Sequence, residues 1–80
     1  MNQKVIALAD LPVKSEGKIT DILGGYGFHE KLEVRGIRVG KKITVISRQP
    51  FRGPLTIKVC NTKMTIGRGM AKKIMVEVVL

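Results

Sequence analysis

The chain has 80 residues, 44% hydrophobic and 4% aromatic, with a formal net charge of +9. That length leaves room for one small domain, and the hydrophobic content is too high for a disordered chain. The single cysteine, Cys60, excludes an internal disulfide framework, and no run of about 18 apolar residues is present to cross a bilayer.

The opening stretch to Pro12 has no secretory pattern and reads as a lead-in turn packed by Leu8, Leu11 and Val13. Gly17 to Leu23 predicts a strand, although Ile19 and Ile22 do not alternate. Gly24-Gly25-Tyr26-Gly27 breaks it. Phe28 to Arg35 then reads as two turns of helix, with Phe28 and Leu32 four apart and Gly36 as the C′ stop. From Lys42 to Arg48 the period becomes two, with Ile43 and Val45 inward and Lys42 and Thr44 outward.

Gln49 to Pro54 is a turn, because two prolines and a glycine cannot continue a ladder. Leu55, Ile57 and Val59 form the next inward face, and Asn61-Thr62 reverses the chain into Met64-Thr65-Ile66. Gly67 to Lys73 is a turn or single helical turn, and Ile74, Val76 and Val78 complete a last strand. The fold class is therefore mainly β: a small barrel of about five strands with one short helix, its closure hiding the sheet edges.

Charge is unevenly placed. Residues 1–33 sum to −1 and residues 34–80 to +10, with Glu77 the sole acid of the second part. Such a field draws an anionic partner: nucleic acid, an acidic protein face or an anionic membrane surface. The plain alternative is a solvated surface.

Catalysis is poorly supplied, and no enzyme, catalytic residue, metal site or cofactor is expected. His29 and Glu33 stand four apart as a surface pair, without further ligands converging. Cys60, outside any Cys-x-x-Cys pattern, reads as a small apolar strand residue, buried or half-buried. Gly24 to Gly27 lacks the Gly-Lys-Ser/Thr ending of a phosphate loop, and Gly67-Arg68-Gly69 is a tight turn that exposes Arg68. Phe51 and Arg52 differ from these. They occupy the tip of a Pro/Gly-bounded loop, and both residue types anchor interfaces. Phe51 folding back onto the core is the equal alternative.

Taken together, these pieces resemble a known family. Leu11-Pro12 leads to Gly17-Lys18-Ile19, and Gly24-Gly25-Tyr26-Gly27 precedes the helix. Lys31-Leu32-Glu33-Val34-Arg35-Gly36-Ile37-Arg38-Val39-Gly40 is similar to the pattern R-L-x-x-L-G-I-x-P-G. Pro50-Phe51-Arg52-Gly53-Pro54 and the run from Ile66 to Ile74 follow in order. From about Leu8 onward the chain resembles the ferrous iron transport protein A family (FeoA). Lys31, Arg35 and Val39 depart from the usual arginine, apolar residue and proline.

The resemblance implies one SH3-like domain over residues 1–80 and a small cytosolic accessory or regulatory protein at the inner face of the membrane. It implies a partner, the membrane ferrous iron transporter with its G-protein-like GTPase part. Partner-binding candidates are Tyr26, Phe28, Leu32, Arg35, Phe51, Arg52 and Arg68. The alternative function is a basic nucleic-acid-binding barrel. It is disfavoured by the scarcity of aromatics for stacking and the lack of a recognition helix, so no specific nucleic acid is expected.

Overall fold

The computed structural model describes residues 3–79, with the side chain of Val79 outside the described part. Alternating apolar residues build most of the strands. In order they are β1 (Gln3–Ala7), a 3₁₀ turn (Leu8–Asp10), β2 (Glu16–Ile22), α1 (Tyr26–Val34), β3 (Lys42–Arg48), β4 (Leu55–Val59), β5 (Thr62–Ile66), α2 (Arg68–Ala71) and β6 (Ile74–Val79). All neighbours pair antiparallel in one six-stranded sheet, ordered β1-β6-β2-β3-β4-β5.

The sheet is barrel-like but not closed, so β1 and β5 are its edges and the expected hiding of edges is corrected. Six strands stand where about five were expected, the addition being β1. β1 was read as lead-in because Gln3-Lys4-Val5-Ile6-Ala7 shows no alternation and its first three residues are exposed. Pairing to β6 makes it a strand, through a register running from Gln3↔Val79 to Ala7↔Met75. Leu8 and Leu11 are buried as expected, whereas Val13 is 40% exposed.

Two register irregularities bend the sheet. One lies between Ile19 and Asp21 on β2, so Ile19 and Ile22, three apart, both point inward. The other lies between Val45 and Ser47 on β3. Just beyond it, the Arg48 guanidinium donates to the carbonyls of Ala9 (2.7 Å) and Leu11. These charge-assisted bonds tie the 3₁₀ turn to the end of β3.

The core is the inward face of β2, β3, β4 and β6, closed by Leu8, Leu11, Leu32 and Ile37. α1 is a thin cover over part of it, with Leu32 its one fully buried residue. It stops where Gly36 takes φ +86°, a conformation that favours glycine at C′. Among the described residues no helix is long and apolar enough to cross a membrane.

Candidate partner-docking surface

Two groups of the candidate residues are exposed, and they are built differently. On α1, Tyr26 stands at the first position and is 80% exposed. Phe28 turns inward and packs in part against the core, with the Lys73 ammonium 5.1 Å from its ring centroid. That distance is within cation–π range and fixes the start of the helix against the approach to β6. Arg35, exposed at the C-cap, sits where a helix dipole favours a cation. Leu32 is corrected: at 0% exposure it is a core residue and offers no surface to a partner. Its apolar character pointed to contact when it reported burial.

Val34 was missed. It is 87% exposed and lies eight residues from Tyr26, with Glu30 between them on the outer helical face. The i, i+4, i+8 spacing carried that signal.

The second group is the loop between β3 and β4. The Gln49 N–H donates to Pro54 O (3.0 Å), and the Gly53 N–H donates to Pro50 O (3.2 Å). Between them Phe51 and Arg52 take φ +58° and +59°, the dihedral signs of a type I′ turn. Phe51 is 99% exposed, so it does not fold back onto the core. A Cβ on Gly53 would lie 2.7 Å from Gln49 Cβ, so the loop closes around a glycine. Left-handed φ costs about 1–2 kcal/mol per non-glycine residue, and a bulky aromatic is a rare occupant.

Arg68, partly buried, opens α2. The register Leu55↔Ile66 brings the Gly67–Gly69 turn to the same end of β4 and β5 as the Phe51 loop. The sheet thus gathers Phe51, Arg52 and Arg68 at one end: an apolar ring with two cations.

Cys60 is corrected from strand to turn. It is exposed and takes φ +51° beside Asn61 at φ +65°, in the two-residue loop closed by Val59↔Thr62. Residue type alone gave no sign of that conformation. His29 is half-buried on α1. Among the described residues no three of His, Cys, Asp and Glu come together as a group that could hold a metal. A groove of about 610 Å³, lined by Ile6, Leu11, Pro12 and Val78 with Lys4 and Glu16 at its sides, was also missed, because it depends on β1.

A rolled antiparallel sheet of this size, with one short helix over its side and loops held at its ends, defines a small SH3-like β domain. The FeoA domain model matches residues 6–78, and the chain belongs to that family. A Methanocaldococcus jannaschii protein provisionally named Fe(2+) transport protein A is 41% identical over 59 residues, covering 74% of this chain and 70% of its own. The crystal structure of an iron uptake regulatory protein, FeoA, superposes with a TM-score of 0.84 at 30% identity, covering 94% of this chain and 99% of that one. A manganese-dependent transcriptional repressor shares the fold alone, with a TM-score of 0.86 at 16% identity, over 99% of this chain and 44% of the repressor.

Proposed function

We propose that this chain is an accessory or regulatory protein of ferrous iron uptake. In this reading it docks on the cytosolic GTPase part of a membrane Fe(II) transporter, at the inner face of the membrane. The observation that carries the reading is Phe51, 99% exposed on a turn whose two central residues both hold left-handed φ. Strain of this kind persists where the surroundings over-determine it, and it concentrates at binding sites. Iron transport is supported by family membership and by the names of the relatives.

Phe51 supplies an apolar anchor of fixed direction, so little ordering entropy is lost on docking. Arg52 beside it offers a planar fork for a carboxylate. The +10 balance of residues 34–80 speeds encounter with an acidic partner near the membrane.

The test is affinity capture from detergent-solubilised host membranes, with nuclease present and retained proteins identified by mass spectrometry. The native chain is expected to retain a polytopic GTPase, and Arg52→Glu to lower that retention by about ten-fold or more. If nuclease removed everything retained, and what it removed were nucleic-acid-associated proteins, docking on the transporter would be wrong and the basic-barrel reading would replace it.

A further inference from the structure

The outward face of β3, β4 and β5 has no part in the docking surface above, and its composition is unusual. Its positions are Lys42 and Thr44 on β3, Thr56 and Lys58 on β4, and Lys63 and Thr65 on β5. No acid stands among them. The register sets Lys58 directly opposite Lys63, and Lys42 directly opposite Lys18 of β2. Like charges facing each other across strands destabilise a sheet, so the fold carries these pairs against their mutual repulsion. Acids border the face on one side alone: Glu77 opposes Lys18, and Glu16 opposes Thr44. Lys42, Lys58 and Lys63, all exposed, leave the face with an excess of positive charge, although Glu16 shares a hollow with Lys42 and Lys58.

We propose that this lysine–threonine face rests on the surface of a bilayer bearing anionic lipids. The face holds flexible, strongly hydrated point charges and short hydroxyls, which suit a diffuse layer of phosphate and carboxylate headgroups. Nucleic acid is a poorer match. The chain's three aromatics, Tyr26, Phe28 and Phe51, lie on α1 and the β3–β4 loop, so the face offers bases nothing to stack on. It also has no arginine fork or helix to read a groove. This inference deepens the membrane-adjacent part of the function proposed above, yet its test contains no transporter, so either can fail alone.

The experiment is co-sedimentation of the full chain with vesicles of phosphatidylcholine, or of phosphatidylcholine with phosphatidylserine, across a salt series. Two triple variants of equal net charge are compared: K42E/K58E/K63E on the face, and K4E/K31E/K72E at exposed positions elsewhere. The native chain is expected to sediment with the phosphatidylserine vesicles and to be released as salt rises. At about five-fold in partitioning per lysine lost, and with glutamate repelled besides, the face variant loses at least roughly 100-fold, while the control variant loses far less. Circular dichroism of both variants confirms that each is folded. Equal losses in the two variants, or no preference of the native chain for phosphatidylserine, would overturn the proposal. Displacement of the native chain from vesicles by duplex DNA of equal charge concentration would overturn it in favour of nucleic acid.

Discussion

β4 has a turn with two left-handed residues at each end, and the two turns differ in one position: the C-terminal one includes an asparagine, the N-terminal one no residue that favours the conformation. At its C-terminal end Cys60 and Asn61 take φ +51° and +65° and join β4 to β5 directly. Asparagine tolerates that conformation, and the type I′ geometry matches the twist of a hairpin. At its N-terminal end Phe51 and Arg52 take nearly the same φ within a six-residue loop. Neither suits it, and the phenylalanine gains no burial in exchange. The first turn is explained by connecting two strands. The second asks for a purpose outside the fold, and a waiting partner provides one.

Several substitutions sharpen or break that contrast. The largest effect calibrates it from the core: Leu32→Ala, at a fully buried position, is expected to lower stability by about 2–5 kcal/mol in urea unfolding. A loss well under 1 kcal/mol would return Leu32 to the surface and reopen it as a contact. Next comes Gly53→Ala, whose new Cβ meets Gln49 Cβ at 2.7 Å, with an expected cost of about 1–3 kcal/mol. Were it neutral, the Phe51 turn would be a pliable loop and its strain illusory.

Phe51→Gly is expected to raise stability by about 0.5–1 kcal/mol, since relief of the left-handed penalty exceeds the added chain entropy of glycine. Asn61→Gly should give a few tenths of a kcal/mol, because asparagine already accepts the conformation. Equal gains at both turns, measured by the same unfolding curves, would erase the difference between them.

Much of this molecule is legible in its sequence, and the gaps have physical causes. β3 runs from Lys42 to Arg48 as its alternation predicts, and Leu55, Ile57 and Val59 point inward as their period requires. Where alternation fails it does so for a reason: the irregularity between Ile19 and Asp21 shifts the phase of β2. β1 gave no local signal because an edge strand half in solvent acquires its identity from β6, 70 residues away, a partner no local window contains.

The candidate site divides along the same line. The turn that carries Phe51 and Arg52 follows from the prolines and glycine around them, which short-range rules capture. The choice between exposure and return to the core at Phe51 is decided by the structure alone. Leu32 was misjudged because an apolar residue on a helix has the same spacing whether it faces a core or a partner. The left-handed φ of Cys60 was invisible because cysteine rarely signals a turn. The lysine face emerges only when β3, β4 and β5 are laid side by side, since Lys58 and Lys63 become opposed through the register.

The most direct test of the account joins stability and docking in one variant. Phe51→Gly is examined by urea unfolding and, in parallel, by capture of the membrane GTPase. The account predicts a chain that is more stable than the native one yet retains about ten-fold less partner. A variant that gains stability and captures the partner as well as the native chain would contradict it, because the strained phenylalanine would then serve no interface.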